Sequence, residues 1–130
     1  MQIERIKISG FRSFGVKPVR VNLAGDLTCF IGPNASGKTA LLQALTKMFG
    51  VTRAQRTVAR SDFHLPPDVD PNDRSARSLY IDVLISFPEL AEGKARPKTV
   101  APCFKHMCIE RPKQPPVCRL RLEAAWEDDE

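Results

Sequence analysis

Apolar and polar positions alternate over two stretches near the start of the chain. Ile3, Ile6 and Ile8 sit among charged residues in QIERIKIS, and Val19, Val21 and Leu23 take turns with Arg20 and Asn22. A period of two turns one side of each stretch to a core and the other to solvent, so both are predicted strands. AGD at 24–26 is a turn signal, and the nearly all-apolar LTCFI at 27–31 reads as a short strand buried on both faces. From Lys38 the period lengthens: Leu41, Leu42, Leu45, Met48 and Phe49 recur at helical spacing, with Gln43, Thr46 and Lys47 between them. That pattern predicts an amphipathic helix whose apolar stripe is core and which stops at Gly50.

Residues 51–78 lose the pattern. Arg53, Arg56 and Arg60 come at spacings of three and four, which would put them on one helix face, and then DFHLPPDVDPNDRSARS brings three prolines and several turn formers. The stretch reads as a mobile connection with at most one short helical piece. Leu79, Ile81, Val83, Ile85 and Phe87 then alternate with Tyr80, Asp82, Leu84 and Ser86 up to Pro88, another predicted strand. PELAEGKARPKT and RPKQPP read as loops, VAPCFKHMCIE reads either way, and Leu120, Leu122, Ala124 and Trp126 alternate in a last predicted strand.

Between the apolar strand at 27–31 and the helix from Lys38 stands GPNASGKT. Gly32, Gly37, Lys38 and Thr39 fill every fixed position of the phosphate-loop pattern G-x-x-x-x-G-K-[ST]. A chance match in a chain of this length occurs on the order of once in a few hundred, and the strand before and helix after narrow it further. Each residue has a physical task. The loop backbone, through Gly32, Asn34, Ala35, Ser36 and Gly37, points N–H groups at the phosphates, with glycine leaving no Cβ in the way. The helix start adds unpaired amides and a positive dipole end. Lys38 would bring a compact charge to the β- and γ-phosphates of a bound nucleotide, and the Thr39 hydroxyl would be a Mg²⁺ ligand.

Hydrolysis asks for more: a strand ending in an acid that holds Mg²⁺, and a group that positions water. Asp82 follows LYI but lies mid-strand, where alternation turns it to solvent; Asp128 and Asp129 follow EAAW, a run too short and polar for a buried strand. The residues therefore support nucleotide binding and leave the catalytic positions unassigned. Cys103, His106, Cys108 and Cys118 have soft-ligand chemistry, but C-x-x-H-x-C-x9-C fits no common zinc spacing and reads as ordinary thiols beside a surface histidine.

Composition changes the picture in two ways. Twenty Lys and Arg face 15 Asp and Glu for a net charge of +5, yet the last four residues are all acids, so the body is more basic than the total. Such a body suits polyanionic partners, nucleotide or nucleic acid. No run approaches the roughly 18 apolar residues of a membrane span, and the charged start is no signal peptide. A soluble, cytoplasmic protein with no membrane partner is expected.

The text around the loop has a familiar order. IERIKISGFRSF, the strand pair and FIGPNASGKTALLQAL resemble the amino-terminal start of the ABC-type ATPase heads of the RecF and SMC proteins. The resemblance to the OLD family of ATP-dependent endonucleases is closer, through Asp62-Phe63-His64, Phe87 to Leu90 and RLRLEAAW. It implies an α/β P-loop NTPase, a partial ABC-type head with a mixed sheet, antiparallel side strands and one helix after the phosphate loop. It also implies ATP and Mg²⁺ as cofactors, homodimerisation of heads around nucleotide, and a nuclease domain acting on DNA in repair or phage defence. Residues 1–130 would be the amino-terminal part of such a head, with its second half and any nuclease outside the sequence and no turnover in this chain alone. By the same resemblance Arg12 and Ser13 lie near the nucleotide. A RecF- or SMC-like head without nuclease, and a module that holds nucleotide without hydrolysing it, remain open.

Overall fold

The computed structural model describes residues 1–34, 36–91 and 100–128. Among them the chain forms β1 (Gln2–Ser9), β2 (Val19–Asn22), α1 (Lys38–Phe49), α2 (Arg53–Arg56), β3 (Arg77–Ser86), α3 (Pro102–Met107), β4 (Ile109–Arg111) and β5 (Gln114–Trp126). Short 3₁₀ turns lie at Arg60–Asp62 and Pro88–Leu90. The strands pair in the order β2-β1-β3-β5-β4 as an antiparallel sheet. Strand alternation and the helical period thus locate β1, β2, β3, the second half of β5 and α1. No described helix is long and apolar enough to cross a membrane.

Two compact units share the residues. The first takes Met1–Ile6, Val21–Thr28 and Asp82–Leu120. Its core is Ile6, Val83, Ile85, Phe87, Val117 and Cys118, all buried, with the Phe87 ring 5.6 Å from that of Phe104. Glu4 accepts both Arg111 terminal nitrogens, at 3.0 and 3.1 Å. The second unit takes Lys7–Arg20, Cys29–Ile81 and Arg121–Glu130. Ile8, Phe11, Ala40, Leu41, Ala44, Phe63, Leu79 and Ile81 are buried there.

Five expectations need correction. Residues 27–31 form no strand: Leu27 is 77% and Ile31 95% exposed. A strand buried on both faces needs partners on both sides, and among the described residues none pairs with it. In α1 the packed face is Ala40, Leu41 and Ala44, while Leu42 and Phe49 are exposed; the small alanines let the helix approach closely, which an apolar count ignores. Asp82 does not face solvent. It is 3% exposed, and Arg119 on the adjacent strand β5 sets its guanidinium on the carboxylate, Nε to Oδ2 at 2.8 Å.

The proline-rich RPKQPP is no loop beyond Pro112 and Lys113, for β5 begins at Gln114. Prolines are tolerated here because only their carbonyls are used: Pro116 O accepts the Phe87 backbone N–H at 2.9 Å, and Pro115 O accepts the Arg111 side chain through Nε at 3.0 Å. The β4–β5 register slips by one between Ile109↔Val117 and Arg111↔Gln114. Finally, Arg53, Arg56 and Arg60 share no helix face. Their helix ends at Arg56, where Thr57 turns extended, and Arg60 belongs to the 3₁₀ turn, its guanidinium 4.7 Å from the Trp126 ring.

One backbone position is decisive at the end of β1. Gly10 has φ +68°, and a Cβ there would lie 2.2 Å from the Ser78 carbonyl oxygen. Gly10→Ala combines left-handed strain with a backbone collision, so urea unfolding is expected to show a loss of about 2–4 kcal/mol; a loss below about 0.5 kcal/mol would contradict the close approach.

Candidate functional site

The loop from Gly32 to Thr39 leads into α1, and its glycines are fixed by space as well as by angle. A Cβ on Gly32 would sit 2.7 Å from Ser36 Oγ. Gly37 caps α1 with φ +96°, and a Cβ there would meet the Phe14 ring at 3.3 Å and Ser13 Oγ at 3.6 Å. The turn that carries Phe14 therefore rests directly on the loop. Leu41 N–H makes the helical bond to Gly37 O at 2.9 Å, which leaves the amides of the first turn pointing out of the helix. No acid occupies that turn, so its positive end is uncompensated. Lys38 Nζ donates to the Gly32 carbonyl, reaching back across the loop.

A cavity of about 390 Å³ opens at this point, lined by Arg12, Ser13, Asn34, Gly37, Lys38, Thr39, Ala40 and Gln43. The size suits a nucleotide's phosphates. Of the residues expected from sequence, Arg12, Ser13, Asn34, Gly37, Lys38 and Thr39 meet here, while Gly32 and Ser36 pack against one another in the loop. Ala35 lies outside the described residues. Gln43, one turn along α1 from Thr39, is an addition that its place between apolar positions did not suggest.

Sequence reading missed what holds Arg12. This residue has φ +50°, a left-handed conformation that costs energy in a residue with a Cβ. Its backbone N–H donates to Asp62 O at 2.8 Å. On the side chain, Nε and Nη2 both donate to Asp62 Oδ1, at 3.0 and 2.8 Å. Its carbonyl lies 2.6 Å from His64 Nδ1; a carbonyl only accepts, so the ring carries its proton on Nδ1. Phe11 bridges to Phe63, and His64 N–H donates to Gly10 O at 2.8 Å, so 62–64 lies along 10–12 like a short strand. Elsewhere in 51–78 local devices contribute, such as the reciprocal Thr52–Gln55 capping box.

Asp62 is fully buried. Its second oxygen accepts Lys47 Nζ at 3.0 Å and Ala59 N–H at 2.8 Å. Burial by itself pushes the carboxyl up, but the Ala59 amide, the Lys47 ammonium and the Arg12 guanidinium together outweigh it and hold it below its ordinary range. The only sign of this in the sequence is an acid closing an arginine-rich stretch just before Phe-His.

The acids weighed as catalytic partners are engaged elsewhere. Asp82 is held by Arg119, and Asp128 lies 3.0 Å from Arg74 Nη1; Asp129 lies outside the described residues. Burial pushes the Cys108 and Cys118 thiols up, so both are neutral in the first unit.

Comparison with known proteins agrees with this geometry. A model of the AAA ATPase domain matches residues 1–108. The uncharacterized protein YbjD of Escherichia coli (strain K12) is 31% identical over 102 residues, 78% of this chain and 17% of its own length. The chromosome partition protein Smc of Halothermothrix orenii is 28% identical over 86 residues, 63% of this chain and 7% of that protein. The Smc of Methylococcus capsulatus is 38% identical over 55 residues, 42% and 5%. The chain thus spans less than a fifth of the relatives it matches. A solved structure from work on "ATP-driven dimerization and DNA stimulated activation of SMC ATPases" superposes with a TM-score of 0.57 at 18% identity, over 97% of this chain and 69% of that one.

The depressed Asp62 carboxyl fixes a pH dependence. Because its folded value lies below the unfolded one, its contribution to stability is complete above the unfolded value and is lost as pH falls through the folded one. Urea titrations should show this contribution constant from neutral pH to about 4 and declining below that, by at most about 1.4 kcal/mol per pH unit for the one proton. Asp62→Asn should flatten that acid limb; an unchanged limb would refute the assignment.

Proposed function

The chain belongs to the AAA ATPase domain family and has the fold of an SMC-like ATPase head, and from that premise we propose that it binds ATP with Mg²⁺ through Gly32–Thr39. The observation that carries the reading is the cavity itself. Lys38, Thr39, Arg12, Ser13 and the uncompensated start of α1 converge on one space, and the close approaches at Gly32 and Gly37 let the loop and the Phe14 turn pack tightly around it. These groups fit a phosphate chain. The backbone amides and the two cations neutralise the oxygens, Arg12 by its planar fork and Lys38 as a point charge. Thr39 would hold Mg²⁺, which when bound draws charge from the β- and γ-phosphates. Asn34 and Gln43 offer amide donors and acceptors at the rim.

The activity proposed for this chain is binding rather than turnover. Asp82 and Asp128, the acids considered for holding Mg²⁺, have their carboxylates on arginines. In a complete protein the head would pair with a second head around ATP and act on DNA, as the SMC relatives' names suggest for chromosome partition. A second reading, the head of an OLD-like ATP-dependent endonuclease working in repair or phage defence, is supported by Asp62-Phe63-His64, which joins the resemblance to a working part of this site.

Titration of the protein with a fluorescent ATP analogue in Mg²⁺ tests the reading. Lys38→Ala should weaken binding at least tenfold, about 1.4 kcal/mol, and Thr39→Ala should remove most of the benefit of adding Mg²⁺. Binding indifferent to Lys38→Ala would overturn it.

A further inference from the structure

We infer that Asp62 and His64 are positioning residues for the nucleotide site, holding Arg12 in place before ATP arrives. The inference rests on the ATP-binding reading of the cavity. Arginine is a flexible side chain, and here it also starts from a left-handed backbone. Left to itself it would sample many rotamers, and nucleotide would have to order it on binding. Instead four contacts from a three-residue segment fix it: the Asp62 carbonyl on its N–H, Asp62 Oδ1 on Nε and Nη2, and His64 Nδ1 on its carbonyl. The carboxylate uses only one edge of the guanidinium fork. Arg12 keeps a third of its side-chain surface exposed, against 1% for Asp62, and lines the cavity. Its remaining N–H groups are free of Asp62 and available to a phosphate oxygen.

The arrangement also ties this fork to the helix that follows the phosphate loop. Lys47 of α1 holds the other Asp62 oxygen, so the carboxylate joins the turn at 10–14 to the helix whose first residues are Lys38 and Thr39. Arg12 and Lys38 are thereby set in one frame. Asp62 and His64 touch no nucleotide; their effect passes through Arg12.

A double-mutant cycle with the fluorescent ATP analogue as probe tests this. Asp62→Asn should weaken Mg²⁺-dependent binding by about tenfold, Arg12→Ala by a similar factor, and the double variant no more than Arg12→Ala alone. Without any nucleotide, the Arg12 Nε–H resonance should move and exchange faster with water in Asp62→Asn. His64→Ala should weaken binding several-fold and His64→Asn, which keeps a donor at the δ position, should restore it; this pair serves even where Asp62→Asn folds poorly. Asp82→Asn, which breaks a buried ion pair in the other unit, should lower the melting temperature yet leave affinity within about twofold. If binding needs Lys38 but the Asp62 and Arg12 losses add, the positioning role is overturned and the ATP site stands. If binding is indifferent to Lys38→Ala, the site and the positioning role both fall.

Discussion

Burying an ionised carboxylate costs several kcal/mol unless charge and hydrogen bonds replace the water it loses. Asp62 has no exposed surface, and the segment around it is arranged to supply that replacement. Arg12 comes from the turn after β1, Lys47 from the last part of α1, and the Ala59 amide from its own 3₁₀ turn. None of these three is near another in sequence. Each is fixed because the carboxylate can be satisfied in only one arrangement, so a single buried charge sets where the turn, the helix and residues 59–64 lie within their unit. Breaking such a pair from one side leaves the other charge stranded, which is why its loss typically costs about 3–5 kcal/mol where an exposed pair costs under 1.

Steric exclusion completes what the charge begins. The Phe14 ring reaches the Cα of Gly37 closely enough that a methyl group would meet it at 3.3 Å, and Ser13 Oγ lies just beyond. Gly10 comes against the Ser78 carbonyl in the same fashion. The turn from 10 to 14 is thus pressed between β3 and the start of α1. Arg12 and Ser13 face the cavity because Phe11 and Phe14 point the other ways, into the core and onto the loop.

What could be read from the sequence divides along physical lines. The loop ahead of α1 was legible as a motif because its constraints are local: the left-handed angle at Gly37, the start of a helix and a lysine at a set position. Strands β1 and β3 were legible because one face is buried, and Leu79, Ile81, Val83, Ile85 and Phe87 are all within 3% of complete burial. Residues 27–31 were misread because an apolar run states a preference for neighbours without supplying them. Asp82 was misread for the opposite reason: alternation placed it outside, and its partner Arg119 lies 37 positions away. Asp62 escaped notice because its meaning depends on residues 50 positions before it and 15 before it, separations at which no periodicity speaks.

The same long-range hub answers an electrostatic difficulty. A carboxylate placed beside a cavity proposed for polyphosphate would repel such a ligand and oppose the charge of Lys38, the more so because it is screened by little water. Asp62 escapes this because it carries two cations on one negative charge, so the cluster presents a net positive charge to the cavity through Arg12. Its depressed pKa keeps that balance throughout the neutral range, since the carboxyl does not take up a proton there and release its arginine. An arginine standing alone could have given the same charge without the same direction. Anchored through Nε and one terminal nitrogen, it keeps its charge and also a fixed plane, which is the property that distinguishes recognition of a phosphate group from mere attraction to it.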